Sequence, residues 1–419
     1  MLLKNCRFII TQNEKREILE NKDILIEGGR IEKIGNNLSK KDEVIDCRNK
    51  IVIPGLINCH THAPMNLFRG VSDNKNLQKW LNEDIWPREA KLNEEMVYYG
   101  SLLAIAEMLL TGTTCFNDMY FYITDIAKAA EKSGIRCFLG SALFDFFDSE
   151  KTFEEIKKSE KEINRILEMK NDRIKPSVTP HSVETCSDDL LIECKNLAEK
   201  YDLPIHIHLS ETEKEVKECL KKRGKTPLIF LENLNFLKNK FISAHGIHLN
   251  KKEIELINKN KCFVVYNPCS NAKLASGICP AKELKYFCIG TDSVASNNNL
   301  NLFEEMKFGV LLQRLKYKDS GAMDANRIFD SATINGAKSL GIETGSIEIG
   351  KKADLVLIDK NNIFLNPNYN IISNLVYSFN GNVSDVIIDG KFVVREKKIL
   401  NFKLDEIIEK VNDFKFVLS

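Results

Sequence analysis

The 419-residue chain lacks an excess of charge of either sign: 60 lysines and arginines stand against 59 aspartates and glutamates, a formal net charge of +1. Such balance leaves no field for gathering nucleic acid or an anionic membrane surface, so neither partner is expected. Long apolar runs are missing too. Residues 101–110 (SLLAIAEMLL) supply about half of the roughly 20 that a spanning helix needs. The opening MLLKNCRFIITQNEK has neither the apolar core nor the small-residue cleavage site of a secretory signal, and a cytoplasmic location is the expectation. Clustered thiols are also absent. The 12 cysteines run from Cys6 to Cys288 with no CxxC pair, against a zinc ribbon, an iron–sulfur centre or a small disulfide framework. Most should pack as small buried hydrophobes.

What is present is an alternation of β-like runs with amphipathic helical stretches. Eight strands are predicted: IVIPGLIN, TTCFNDM, RCFLGSAL, KPSVTPH, LPIHIHL, FISAHGI, CFVVYNP and FCIGTD. Residues 154–170 carry a dense charge run. Phe153, Ile156, Ile163 and Leu167 recur there at helical intervals, predicting a solvated helix with one apolar face. The fold class expected is α/β: a (β/α)8 TIM-like barrel over residues 55–344, with its chemistry at the C-terminal strand ends. The two chain ends resemble one another. Gly28-Gly29 and Asp389-Gly390 each sit between alternating runs, a two-residue hairpin signal, and GSIEIGKKADLVLID reads as another strand pair. Residues 1–54 and 345–402 are therefore expected to form one small composite β-sandwich, with 403–419 as a C-terminal helix.

The seven histidines all lie between positions 60 and 248, and four form the tandem pairs His60/His62 and His206/His208. Residues i and i+2 of a strand share a face, so His60 and His62 can aim two imidazoles at one ion. His208 ends the fifth predicted strand and Asp292 ends the eighth. Three imidazoles with one carboxylate suit a divalent metal, Zn2+ or Fe2+, with a position left for water. Taken singly, Asp292 would also serve as an N-cap, and Glu211 as a first-turn helix glutamate favoured by the helix dipole. His206 is expected one layer deeper, packed in the core, and His248 in the loop beyond His245.

Several segments carry a resemblance. PGLINCHTH, HLSE, SAHG and GTDS resemble the amidohydrolase superfamily. HTHAPMNLFRGVSDN, IWPREAKL, NDMYF, TPHSVETCS, NPCSNAKLASGICP and GTDSVASNNNLNLFEEM are similar to its methylthioadenosine/S-adenosylhomocysteine deaminase branch, which includes 5'-deoxyadenosine deaminases. The resemblance implies His60, His62, His208 and Asp292 as ligands of one metal ion. It implies Glu211 as the proton shuttle to the purine N1, and His245 beside the attacking water. Asp292 is implied as that water's base, His181 as a contact to the purine edge, and Glu89 as the acceptor of the ribose 2' and 3' hydroxyls. The implied activity is hydrolytic deamination at C6 of an adenine nucleoside derived from S-adenosylmethionine. Such substrates are 5'-deoxyadenosine, 5'-methylthioadenosine, adenosine or S-adenosylhomocysteine. A homo-oligomer is implied as well.

One departure bears on the substrate. Residues 137–153 (CFLGSALFDFFDSEKTF) contain no arginine to meet an amino-acid carboxylate, while Phe144, Phe146 and Phe147 offer apolar surface. A compact apolar 5' end is therefore expected. Guanine deaminase and a triazine-type hydrolase are the alternatives within the superfamily, and a silent scaffold is the alternative outside catalysis. The other zinc deaminase architecture needs HxE and PCxxC; here Pro268-Cys269 is followed by Ala272 where the second cysteine belongs.

Overall fold

The computed structural model describes residues 1–40 and 43–418. Its centre is a ring of eight parallel strands. In chain order these are Leu56–Thr61, Thr113–Tyr120, Arg136–Leu143, a fourth in two pieces (Ile174–Pro176 and Thr179–Pro180), Ile205–Leu209, Phe241–His245, Phe263–Tyr266 and Phe287–Ile289. The first four pair in register, as in Ile57↔Cys115 and Cys115↔Arg136, and so do the last four, as in His208↔Ala244 and Val264↔Phe287. Isolated parallel bridges close the ring, Val178↔Ile205 and Ser182↔His208 on one side and Thr61↔Asp292 on the other. At the second seam the Asp292 amide donates to the His60 carbonyl at 3.0 Å, so closure itself brings the first and eighth strand ends together.

The alternation seen in sequence follows from this geometry. Helices cover the outer face and side chains fill the interior, so barrel strands are buried on both sides: all eight residues of Arg136–Leu143 are buried. The helix Ser149–Glu168 departs from the expected apolar face. Ile163 and Ile166 are buried, whereas Phe153 is 73% exposed and Leu167 44%. Thr152, Ser159 and Glu162 complete the inward face instead. The Glu162 carboxylate accepts from the Ser141 hydroxyl on the third strand, which holds this polar part of the helix against the barrel.

Both chain ends contribute to one nine-stranded sheet beside the barrel. Its centre is the antiparallel pair of Lys50–Pro54 with Leu355–Asp359, registered Leu355↔Pro54 through Asp359↔Lys50. IVIPGLIN therefore serves twice: residues up to Pro54 belong to the sheet, Gly55 breaks the run, and Leu56 starts the barrel. The two Gly-containing hairpins form as expected, Ile18–Glu27 with Arg30–Gly35 and Asp385–Ile388 with Lys391–Arg395. GSIEIG does not form a strand. Only the isolated bridge Arg30↔Lys352 and the strand Leu355–Asp359 come from that segment, because Gly345 and Gly350 both adopt left-handed backbone. A terminal helix spans Leu404–Leu418. Among the described residues no helix is long and apolar enough to cross a membrane.

A buried ion cluster ties the sheet to the barrel. Arg136, 5% exposed at its side chain, donates to Asp354 at 2.9 Å and to Asp389 at 2.8 Å, and Lys352 adds a contact to Asp389 at 3.3 Å. Removing one partner leaves uncompensated charge out of water. Arg136→Ala is expected to cost about 3–5 kcal/mol of stability, measured by denaturant unfolding, with the site chemistry untouched.

Candidate metal centre and pocket

Strand ends bring the chemistry-bearing side chains to one point. The His60 Nε2 lies 3.5 Å from Asp292 Oδ1 and the His62 Nε2 3.4 Å from the same oxygen. His208 Nε2 lies 3.3 Å from His62 Nε2. Two overlapping sets have donor atoms within 4.8 Å of one another: His60, His62 and His208, and His60, His245 and Asp292. Like donors held this close, without hydrogens to share, are the arrangement a cation relieves. His60 Nε2 is buried with no hydrogen-bond partner in the protein, and the set of nitrogens with one carboxylate suits a divalent ion.

The partners of the other ring nitrogens decide which histidines can ligate. His62 Nδ1 meets the Met119 carbonyl at 2.6 Å, and His208 Nδ1 meets the His181 carbonyl at 2.8 Å. A carbonyl only accepts, so both protons sit on Nδ1 and both Nε2 lone pairs are free. His245 is the opposite case. The amide nitrogens of Asn271 and Asn267 donate to its Nδ1 at 2.8 and 3.4 Å, leaving the proton on Nε2. His245 is thereby a donor facing the site, 3.7 Å from Glu211 Oε2, and not a ligand of the same kind.

The backbone is strained where it delivers these groups. His245, Asp292 and Ser210 adopt φ of 74°, 62° and 49°, left-handed conformations that non-glycine residues hold only when their surroundings enforce them. Asp292 is fixed by the Ser270 hydroxyl at 2.6 Å and its neighbour's amide, Ser293, at 2.7 Å. The Glu215 carboxylate accepts the amides of Ser210 and Glu211 at 2.9 and 2.8 Å, which sets the turn after the fifth strand. At Gly290 a Cβ would come within 2.9 Å of His60 Cβ and 2.6 Å of Asn267 Oδ1, so the approach of the eighth strand requires glycine.

Burial dominates the electrostatics. It lowers the pKa of His60 to about 4, His181 to about 3 and His245 to about 4, and puts those of His206 and His208 well below the usual imidazole value. These rings are neutral at physiological pH. Burial works against the charge of Asp292, yet the facing His60 ring, with His62 and His245 beside it, holds its carboxyl well below the usual carboxylate range. Glu211 goes the other way: burial first, then the negative charge of Asp292, push it up to about 8. At neutral pH Glu211 therefore carries a proton in this setting. Ser276 donates to it at 3.4 Å.

Above this cluster opens a pocket with an apolar wall that includes Trp80, Ile85, Trp86, Phe121, Phe144 and Phe146. Its carboxyl lining consists of Glu89, Glu184, Glu211, Glu215 and Asp292, and among the described residues no lysine or arginine joins them. Glu89 comes from a helical segment interrupted by a π-helical turn, Leu81–Ile85, a distortion common at functional sites. Its carboxyl faces the Tyr120 hydroxyl, and burial raises its pKa. The aromatic loop is pinned by buried Asp145, which accepts from Thr152 at 2.6 Å and from the Phe147 and Ser187 amides at 3.0 and 2.8 Å. Phe147 turns outward beneath Lys222 and Arg223 and does not line the pocket.

Thus His60, His62, His208, Asp292, Glu211, His245, His181 and Glu89, singled out from sequence, converge here. His248 lies in the following loop, bonded to the Ser276 carbonyl at 3.0 Å. Sequence reading missed the contacts of Ser270, Asn271 and Ser276, whose signal is the small polar run NPCSNAKLAS after the seventh strand, and of Tyr120, which lies in NDMYF. His206 is buried as expected, but its Nε2 lies 2.8 Å from His60 Nδ1, so it is more than packing.

Comparisons with known proteins agree with this geometry. A model of the amidohydrolase family matches residues 51–393. A 5'-deoxyadenosine deaminase from Methanocaldococcus jannaschii is 47% identical over 427 residues, covering 100% of this chain and 99% of the relative. Another, from Methanosphaera stadtmanae, is 46% identical with 93% of each chain covered. An adenosine deaminase of Xanthomonas campestris, solved with bound zinc, superposes with a TM-score of 0.94 at 31% identity, covering 100% of this chain and 98% of that one. With the strand-end histidines, the closing aspartate and these full-length matches in agreement, the chain belongs to the amidohydrolase family, in the branch of the 5'-deoxyadenosine deaminases.

Proposed function

We propose that this protein deaminates adenine nucleosides with a small apolar 5' end, 5'-deoxyadenosine and 5'-methylthioadenosine foremost, giving the inosine analogue and ammonia. The observation that carries the reading is a cluster of ring nitrogens and a carboxylate at the base of a pocket that sets Glu211 beside them and, among the described residues, is lined by no lysine or arginine. The relatives' names support the same reaction.

A divalent ion, Zn2+ or Fe2+, held by His60, His62, His208 and Asp292 would supply a Lewis acid that lowers the pKa of water towards about 7. The chain's own groups do the rest. Asp292 takes a proton from the attacking water, and the Nε2–H of His245 steadies its oxygen. Glu211 gives its proton to N1, so the ring accepts electrons as the C6–O bond forms. Asp292 passes the water's proton to the exocyclic nitrogen, the C6–N bond breaks with loss of ammonia, and Glu211 takes the remaining hydroxyl proton as the 6-oxo group forms. Glu89 accepts the ribose hydroxyls and His181 lies along the purine edge.

The apolar wall sets the preference. A substrate carboxylate brought against Glu89 and Glu184 would lose its water without gaining a partner. Ammonia release from a nucleoside panel tests this. kcat/KM for 5'-deoxyadenosine and 5'-methylthioadenosine should exceed that for S-adenosylhomocysteine by at least about tenfold. A preference for S-adenosylhomocysteine would overturn the reading.

The same reading divides the chain into 1–54 with 345–402, the barrel 55–344, and a C-terminal helix expected over 403–419, of which residue 419 lies outside the described residues. It takes the nine-stranded sheet as folded over into a sandwich, supported by the two hairpin tips: a Cβ on Gly29 would sit 3.0 Å from the Asp389 carbonyl.

A further inference from the structure

Two of the three histidines assigned to the metal have their protons fixed by carbonyl groups, and the third does not. His60 Nδ1 faces His206 Nε2 at 2.8 Å, and a ring nitrogen can either donate or accept. Two arrangements are open to the pair. In one, His206 Nε2–H donates to His60 Nδ1; the His60 proton then lies on Nε2, aimed at Asp292 Oδ1 3.5 Å away, and His60 has no lone pair for a metal. In the other, His60 Nδ1–H donates to His206 Nε2. This frees His60 Nε2 and moves the His206 proton to Nδ1, an atom buried with no hydrogen-bond partner in the protein.

We propose that His206 is a positioning residue for the metal: by accepting the Nδ1 proton of His60 it holds that ring in the tautomer that ligates, and so sets the affinity of the site. This rests on the reading above that His60 is a ligand. The change between the two arrangements balances. The proton of His206 Nε2 passes to His60 Nδ1, His60 Nε2 releases one proton, and His206 Nδ1 takes one up. His206 is 0% exposed and never meets solvent or substrate, so its influence passes through His60.

Zinc affinity, measured by competition with a chromophoric chelator, tests the proposal without relying on turnover. His206→Leu removes the acceptor and should weaken zinc binding about 10–100-fold, the usual effect of losing a ligand's outer partner. His206→Gln keeps an accepting oxygen and should recover affinity to within about threefold of wild type. The melting temperature of the metal-free proteins reports folding separately; if the leucine variant does not fold, His206→Phe, which keeps the ring volume, replaces it. Wild-type affinity in the leucine or phenylalanine variant overturns the proposal, and so does equal loss in the glutamine variant. If the wild-type protein itself binds no divalent metal, the reading of the site fails and not this inference alone.

Discussion

Glu211→Gln is expected to lower kcat by about 10²–10⁴-fold while the metal content stays at the wild-type level. The substitution keeps the shape and the Ser276 contact but removes the carboxyl assigned to give a proton to the ring nitrogen. Glu211 belongs to neither set of metal-binding atoms, so loss of rate cannot be traced to loss of the ion. Its environment explains its fitness. Burial and the neighbouring Asp292 push its pKa up to about 8, which keeps an ordinary carboxylic acid protonated where neutral N1 must gain a proton. Ammonia release under saturating 5'-deoxyadenosine, with metal analysis on the same sample, gives both numbers. A glutamine variant with near wild-type kcat would remove Glu211 from the chemistry.

The second large effect concerns the ligands. His62→Ala deletes one nitrogen and leaves Asp292 Oδ1, now 3.4 Å from a lost partner, to share the ion with two rings. Metal binding should fall below detection by chelator competition, and turnover should drop on the order of 10⁴-fold or more, since unassisted water has a pKa near 15.7. His248→Ala is the control. It sits three positions beyond His245 but bonds only to the Ser276 carbonyl, outside the cluster, and should retain both metal and rate within about threefold. The contrast between the two variants separates the ion's site from the general abundance of histidine in this part of the chain.

Much of this was legible before any coordinates because strand periodicity is local. HxH on a strand places two rings on one face wherever the strand goes, and the eight alternating runs argue for a closed barrel on their own. What was hidden depends on residues far apart in sequence. The bond between His60 and His206 spans 146 positions, and nothing in either HxH pair says that the deeper histidine of one touches the deeper histidine of the other. The contacts of Ser270 to Asp292 and Asn271 to His245 are of the same kind. Local rules failed in two places. GSIEIG alternates like a strand, but its glycines turn the chain and leave it without a pairing partner. On the helix Ser149–Glu168 a buried polar contact, Ser141 with Glu162, outweighs the apolar stripe and leaves Phe153 in water. The substrate wall was half legible: the missing arginine could be read, whereas the outward turn of Phe147 could not.

X-ray absorption at the zinc edge of the loaded protein reports the first coordination shell directly. Three nitrogen neighbours at about 2.0–2.1 Å with oxygen at about 2.0–2.2 Å are expected from His60, His62, His208 and Asp292. A sulfur shell at about 2.3 Å, or a shell without imidazole, would contradict the site.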